Sequence, residues 1–335
     1  MSFQGARLLC RPILEPGLIE MIGFFSAVKS SLLSTILILV VFRTPPLPAQ
    51  TVREGAIERG SFTLHYRTVG TGRPLLLLSG GPGFDVDYMM PLAQKLGASY
   101  QCILLEQRGT GRSQPPTLTA ETINVGLMVD DIEALRNSAK FDRLVILGHS
   151  WGGMLGMAYV AAHPDHVESL VLVASGGMDA GFAPIFMDNI IARANTNDRQ
   201  KIRQTEAAMG SSSDLQAVYQ DLFRVMVPLY FFDRERAEQF MAAGRKESFH
   251  PQLAQLLQAD LLHNYHVQNQ LRHFNRPVLI IQGHQDPMPE GVALESKATL
   301  PNARLVFLNE CGHFPWLEQP DAFYKNLETF LKSEP

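Results

Sequence analysis

From about residue 61 onward, the chain alternates between two hydrophobic periodicities. Residues 61–69 alternate polar and apolar side chains, as a half-buried strand does. Short apolar runs bounded by Gly, Pro or Ser follow at residues 74–78, 101–105, 144–147, 170–173, 278–281 and 305–308. Runs this short and this apolar are typical of strands buried on both faces of a parallel sheet.

Stretches with helical periodicity separate these runs. They lie at residues 122–138, 151–162, 289–298 and 320–331. Alternation of strands and helices predicts an α/β fold with a mostly parallel sheet.

One long segment interrupts the alternation. Between residues 177 and 274 no run resembles a strand, and helical patterns appear instead at residues 183–194, 198–209, 214–227, 233–243 and 252–268. We therefore predict a helical cap at residues 177–274, inserted into a core formed by residues 51–176 and 275–335.

The first 50 residues differ from the rest of the chain. Residues 32–42 are nearly all apolar and follow Lys29. Such a run rises only ~16 Å as a helix, about half of a ~30 Å bilayer core. A charged lead, a short apolar core and a small residue, Ala49, predict a signal peptide and export to the periplasm or beyond. The alternatives are an uncleaved N-terminal anchor, or a cytoplasmic protein whose start is assigned too early; Met21 would give a leader of ordinary length.

Composition narrows the range of partners. The net charge is −4 and no Lys/Arg-rich run is present, which disfavours nucleic acid as a partner. The three cysteines form no C-x-x-C pair, so neither a disulfide scaffold nor a zinc site is expected. Phosphate-binding glycine motifs are absent from the sequence, and we predict no cofactor. Membrane contact is expected only through an uncleaved N-terminal segment.

The strongest chemical signal is Gly148-His149-Ser150-Trp151-Gly152, which matches G-x-S-x-G. It follows a predicted buried strand and opens a predicted helix, which is the context of a nucleophile elbow. Glycines suit this turn because the backbone is strained and neighbouring segments pass close together. Ser150 is therefore the predicted nucleophile.

A serine hydroxyl needs a base to activate it, and the base needs an orienting acid. Asp286 and His313 follow the predicted strands at residues 278–281 and 305–308. The chain order serine, acid, histidine is the order expected in this context. The carboxyl ends of parallel strands share one edge of a sheet, so we expect the three side chains to meet.

The same edge also offers amides for a developing oxyanion. One predicted donor is the amide of Trp151, the residue after the nucleophile. The other is the amide of Gly81, in the loop Ser79-Gly80-Gly81-Pro82-Gly83 after an early strand. Glycine at this position allows a backbone amide to approach the reacting group closely.

Together these motifs resemble the proline iminopeptidase (prolyl aminopeptidase) family of α/β-hydrolases, over roughly residues 60–330. The resemblance rests on Gly80-Gly81-Pro82-Gly83, on the run from Glu106 to Ser113 (EQRGTGRS), and on the serine motif. It implies a triad at Ser150, Asp286 and His313, a helical cap, and release of an N-terminal residue, often proline, from short peptides. Ser79 and Glu106 depart from the histidine and aspartate of the family pattern.

The cap decides between substrate classes. An aminopeptidase must neutralise a substrate ammonium with desolvated carboxylates, which the family supplies from a tryptophan-containing cap segment. Here the cap contains no tryptophan. Its candidate carboxylates are Glu206, Asp221, Asp233, Glu235, Glu238 and Glu247. We expect a small-molecule or short-peptide substrate; a carboxylesterase or lactonase acting on neutral esters is the alternative, and a non-catalytic ligand receptor is a third.

Overall fold

The computed structural model describes residues 51–243 and 249–333. The predicted leader or anchor at residues 1–50 lies outside this range. An eight-stranded sheet has the order β1-β2-β4-β3-β5-β6-β7-β8. The strands are β1 (Val52–Arg59), β2 (Phe62–Val69), β3 (Arg73–Leu78), β4 (Tyr100–Leu105), β5 (Leu144–His149), β6 (Val167–Val173), β7 (Val278–Gly283) and β8 (Ala303–Leu308). Strand β2 pairs antiparallel with β1 and β4, and all other pairs are parallel, which confirms the predicted sheet.

Helices cover both faces of the sheet and form the inserted segment. In chain order they are α1 (Met90–Leu96), α2 (Val125–Ser138), α3 (Trp151–Ala162), α4 (Ala183–Arg193), α5 (Thr196–Met209), α6 (Leu215–Met226), α7 (Arg234–Ala243), α8 (Pro251–Asn264), α9 (Gln268–Leu271), α10 (Glu290–Thr299), α11 (Pro315–Glu318) and α12 (Pro320–Ser333). None of the helices in the described part of the chain combines the length and apolar character needed to cross a bilayer.

The apolar runs are continuous because both faces of the central strands are buried. In β3, Leu76 and Leu78 pack into an apolar cluster with residues of α2 and α3. Leu75 and Leu77 point the other way, into a second cluster with residues of α1 and α12. A strand with period-two side chains and two buried faces must be apolar at every position.

The edge strand β1 has the opposite character, and its sequence did not predict it. Four of its eight residues are charged, and all eight lie exposed or half-exposed at the end of the sheet. It is held by pairing with β2, from Val52 opposite Val69 to Arg59 opposite Phe62. Hydrophobic patterning cannot detect a strand whose side chains have no buried face.

The cap contains helices α4 to α9. It has a small apolar cluster of its own, formed by Ile190, Ala194, Ile202 and Leu229. The helix predicted at residues 252–268 is interrupted, because α8 ends at Asn264 and α9 begins at Gln268. Between them Tyr265 turns inward and donates its hydroxyl to Met154 O and Gly177 O, both at 3.1 Å. The helix is interrupted where Tyr265 packs inward to make these two hydrogen bonds.

Candidate active site

Ser150 lies at a sharp turn between strand β5 and helix α3. Its backbone has φ 55° and ψ −119°, a left-handed conformation that costs energy for any residue with a Cβ atom. The Ser150 amide donates to Val173 O of the neighbouring strand β6 at 2.9 Å. The turn therefore stands at the carboxyl edge of the sheet with its serine only 8% exposed.

The two glycines of the serine motif are required by close backbone contacts. A Cβ atom on Gly148 would meet the carbonyl oxygen of Gly152, and one on Gly152 would meet that of Leu78. These obstacles are backbone atoms, which cannot move aside as a flexible side chain can. The spacing G-x-S-x-G thus follows from the packing of strand β5, helix α3 and strand β3.

Asp286 and His313 are joined by a hydrogen bond. Asp286 lies in the loop after β7 (residues 284–289, the Asp286 loop), and His313 lies in the loop after β8 (residues 309–314, the His313 loop). Oδ1 of Asp286 is 2.9 Å from Nδ1 of His313, and both side chains are buried. An ionised carboxylate only accepts, so in the neutral imidazole Nδ1 carries the proton and Nε2 is the nitrogen that can accept one. The Met288 amide donates to the same carboxylate oxygen at 2.8 Å.

The residue before Ser150 lies beside this pair. The ring of this residue, His149, is 4.8 Å from the ring of His313, measured between centroids. Among the described residues, no hydrogen bond joins Ser150 Oγ to His313. Hydrogen bonds of this type often tighten only when substrate binds. The three predicted side chains thus converge on one edge, with the acid and the histidine already paired.

The loop after β3 (residues 79–84, the Gly81 loop) runs alongside Ser150. A Cβ atom on Gly80 would lie 3.1 Å from the Cβ atom of Ser150. Gly81 has φ 128°, which an L side chain rarely adopts. Among the described residues, the amides of Gly81 and Trp151 have no hydrogen-bond acceptor in the protein. Both amides can therefore donate to a bound group.

Gln107, which the sequence reasoning did not single out, joins the Gly81 loop to the elbow. Its side-chain amide donates to Ser79 O at 2.9 Å, and its carbonyl accepts from Trp151 Nε1 at 2.9 Å. Gln107 is buried, so these bonds have no competition from water. The only sequence signal for it was its place in the EQRGTGRS run.

The His313 loop is fastened to the cap. The His313 amide donates to Tyr230 O at 2.8 Å. Glu318 Oε1 accepts from the amides of Phe232 at 2.7 Å and Asp233 at 3.1 Å, and Oε2 accepts from that of Gly312 at 2.7 Å. Burial raises the pKa of Glu318 above its usual range, and the three amides only partly offset this effect. No sequence motif marks Glu318.

The surroundings of His313 are aromatic. Ring centroids of Tyr230 and Phe186, both from the cap, lie 5.2 and 6.3 Å from the His313 ring. Burial also raises the pKa of the Tyr230 hydroxyl, which therefore stays neutral. Within the described part of the cap, no Asp or Glu side chain is buried.

Five of the six candidate cap carboxylates lie in the described residues, and all five occupy solvent-facing positions. Glu206, Asp221, Glu235 and Glu238 are exposed. Asp233 is half-exposed and accepts from the Glu235 amide at 2.9 Å. Glu247 lies outside the described residues. Within the described ranges, the cap thus presents no desolvated carboxylate that would attract a substrate ammonium.

One group of side chains in the described ranges has metal-ligand spacing. Ligand atoms of Glu133, His163 and His166 lie within 4.8 Å of one another. The Glu133 carboxylate is already paired with the Arg136 guanidinium at 2.7 Å, which disfavours a cation there. His163 follows the last residue of α3, so the group lies at the opposite end of that helix from Ser150.

Comparison with known proteins gives one family and several relatives. A model of the family described as alpha/beta hydrolase fold matches residues 73–320. A proline iminopeptidase of Lactobacillus delbrueckii subsp. bulgaricus is 28% identical over 302 residues, which cover 84% of this chain and 99% of that protein.

Solved structures share the fold. An α/β fold family hydrolase from Bacillus anthracis str. Sterne superposes with a TM-score of 0.69 at 20% identity, covering 84% of this chain and all (100%) of that one. The proline iminopeptidase of Mycobacterium smegmatis gives a TM-score of 0.63 at 22% identity, covering 84% and 98%. At such identities the likeness establishes the fold alone.

Proposed function

The chain belongs to the α/β hydrolase fold family, and we propose that it is a serine hydrolase that works through an acyl-enzyme at Ser150. The observation that carries the proposal is the buried Asp286–His313 pair, 2.9 Å apart, at the same sheet edge as the strained Ser150 turn. A fold alone does not specify a reaction, but this combination of groups suits acyl transfer.

Each group has a role in the proposed reaction. Ser150 Oγ attacks the substrate carbonyl while His313 Nε2 accepts its proton, and Asp286 stabilises the imidazolium that results. The amides of Gly81 and Trp151 donate to the oxyanion as it develops. His313 then gives the proton to the leaving group as its bond to the acyl carbon breaks. Water next attacks the acyl carbon while His313 accepts its proton, and His313 returns that proton to Ser150 Oγ as the acid is released.

The first candidate for the substrate is a short peptide with a free N-terminus, which would make the protein an aminopeptidase of the proline iminopeptidase type. It is supported by the relatives of that name, which align along nearly their whole length at 28% identity. This activity needs a carboxylate near Ser150 to pair with the substrate ammonium. Glu247, which lies outside the described residues, is the remaining cap candidate for this carboxylate.

The second candidate is a neutral ester or lactone. It is favoured by the charge distribution of the described cap, where no carboxylate is buried. The aromatic rings of Tyr230 and Phe186 beside His313 suit an apolar acyl or alcohol group. No amine-binding group is needed for such a substrate.

A paired assay separates the candidates. The protein would be given proline and alanine arylamides and p-nitrophenyl esters of increasing chain length, with Ser150→Ala as the control. An aminopeptidase cleaves the free-amine arylamides and loses this activity when their amine is acylated. Cleavage of esters alone would reject the peptide substrate, and full activity of Ser150→Ala would reject the serine mechanism itself.

A further inference from the structure

Two side chains outside the proposed triad connect the Gly81 loop, the Ser150 turn and the His313 loop. Tyr88 lies just after the Gly81 loop, in the single helical turn Val86–Met89. Its hydroxyl oxygen is 2.5 Å from the Gly80 amide and 2.7 Å from Nδ1 of His149. On the other side of the ring, His149 Nε2 is 2.8 Å from the carbonyl oxygen of His313.

The chemistry of these groups fixes the direction of every bond. A backbone carbonyl only accepts, so His149 Nε2 must carry the proton and donate it to His313 O. His149 Nδ1 is then an acceptor, and the Tyr88 hydroxyl must donate to it. The hydroxyl oxygen accepts in turn from the Gly80 amide. The three bonds run in one direction, from the Gly81 loop through Tyr88 and His149 to the His313 loop.

We propose that Tyr88 and His149 are positioning residues that hold the Gly81 loop and the His313 loop in register with the Ser150 turn. This inference rests on the proposed serine-hydrolase function. His149 is the residue before Ser150, so the pair connects all three parts of the site through side chains of two residues. It also occupies the Gly80 amide, so that amide is not free to donate to the oxyanion.

Tyr88 and His149 are suited to hold the loops in one fixed arrangement. Burial lowers the pKa of His149 well below its usual range, with repulsion from a protonated His313 adding to the effect. His149 therefore stays neutral and keeps one tautomer while His313 gains and loses its proton. Burial also raises the pKa of the Tyr88 hydroxyl, which keeps its donor proton.

Ring packing fixes the pair independently of the hydrogen bonds. The Tyr88 ring stacks on Trp316 with centroids 6.2 Å apart and meets Phe314 edge-on at 6.1 Å. The His149 ring is 4.8 Å from Trp316 and 5.2 Å from Phe314. A phenylalanine at position 88 keeps these ring contacts, so Tyr88→Phe removes the hydrogen bonds alone.

The test compares Tyr88→Phe with Tyr265→Phe. Tyr265 is also buried and its hydroxyl also makes two hydrogen bonds, but to Met154 O and Gly177 O, outside the three loops. With the best ester or arylamide from the paired assay, we expect Tyr88→Phe to lower kcat by roughly 10- to 100-fold and to leave KM within about twofold, because a small displacement of reacting groups costs this much. Tyr265→Phe is expected to keep kcat within about twofold of wild type.

A second test combines Tyr88→Phe with His149→Gln, which breaks the chain of hydrogen bonds at the imidazole ring. His149→Gln places its side-chain amide near the former Nε2 and keeps the donor to His313 O, but it loses the acceptor for Tyr88. In this background Tyr88→Phe should cost less than about threefold in kcat, because the connection from Tyr88 to position 149 is already broken and only the bond from the Gly80 amide remains to be lost. If Tyr88→Phe fails to fold, the kcat of His149→Gln against wild type tests the same bond.

The outcomes are distinct. If folded Tyr88→Phe has the kcat of the Tyr265→Phe control, or if the effects of Tyr88→Phe and His149→Gln multiply independently, the positioning role is wrong. If Ser150→Ala retains turnover, the proposed function is wrong and the positioning role fails with it. Loss of turnover in Ser150→Ala together with a non-additive fall in kcat at positions 88 and 149 would support both.

Discussion

Replacing Gln107 with methionine tests whether its hydrogen bonds hold the Gly81 loop against the turn that carries Ser150. Methionine has a similar length and an apolar end, so Gln107→Met deletes hydrogen bonds with little change in volume. The lost bonds are those to Ser79 O, Ser79 Oγ and Trp151 Nε1, at 2.9, 3.1 and 2.9 Å. Ser79 Oγ retains its own bond to Phe84 O at 3.2 Å.

The expected cost follows from what remains unpaired. The buried Trp151 indole N–H loses its acceptor, at a cost of ~1–3 kcal/mol, and Ser79 O loses a neutral hydrogen bond that contributes ~0.5–1.5 kcal/mol. The free energy of unfolding should therefore fall by ~2–4 kcal/mol. Since Ser79 is the first residue of the Gly81 loop, kcat should fall as well.

Urea unfolding followed by circular dichroism measures this cost, and a double-mutant cycle with Trp151→Phe identifies its source. Phenylalanine has no N–H to leave unpaired, so in that background Gln107→Met should cost only ~0.5–1.5 kcal/mol. An equal cost in both backgrounds, or a cost below ~0.5 kcal/mol in the wild type, would refute the proposed bridge between the Gly81 loop and the elbow.

Two further predictions concern stability. The Arg136 guanidinium beside Glu133 holds the pKa of that carboxyl well below its usual range. The ionised carboxylate therefore stabilises the fold at any pH above the unfolded pKa of about 4.3. This contribution is lost progressively as the pH falls below about 4.3. Glu133→Gln should cost ~1.5–3 kcal/mol in urea unfolding at neutral pH, and its difference from wild type should shrink at acid pH; a difference that stays constant contradicts this. Gly152→Ala would press a Cβ atom against Leu78 O and Ser79 O, so it should prevent stable folding or cost more than ~4 kcal/mol. Gly291→Ala, where a Cβ atom meets nothing, should not lower the melting temperature.

The sequence predicted the parts of the fold that have a strong hydrophobic pattern. The buried strand β7 and helix α3 were found because the first four residues of β7 and the buried residues of α3 form apolar runs. Strand β1 was missed because half of its residues are charged and none is fully buried, and α1 was missed because only a short apolar stretch marks it. The single helix expected at residues 252–268 is interrupted by inward packing of Tyr265, a tertiary contact that local periodicity does not contain.

For the site, motif and chain order placed Ser150, Asp286 and His313 at one edge, because the strands that precede them, β5, β7 and β8, run parallel in the same sheet. The supporting contacts were not predictable in the same way. The Tyr88 hydroxyl is hydrogen-bonded to the ring of His149, and Glu318 accepts from the Phe232 amide, across 61 and 86 residues of the chain. Such bonds depend on how the loops approach each other in space, and no residue pattern along the chain encodes that approach.

The most direct measurement for the central claim is covalent labelling by a fluorophosphonate followed by mass spectrometry of the digested protein. The account predicts one label per chain on the peptide that contains Ser150, no label in Ser150→Ala, and labelling that is much slower in His313→Ala. Turnover of substrate by a chain that takes up no label, or a label attached to another residue with equal loss of activity, would contradict it.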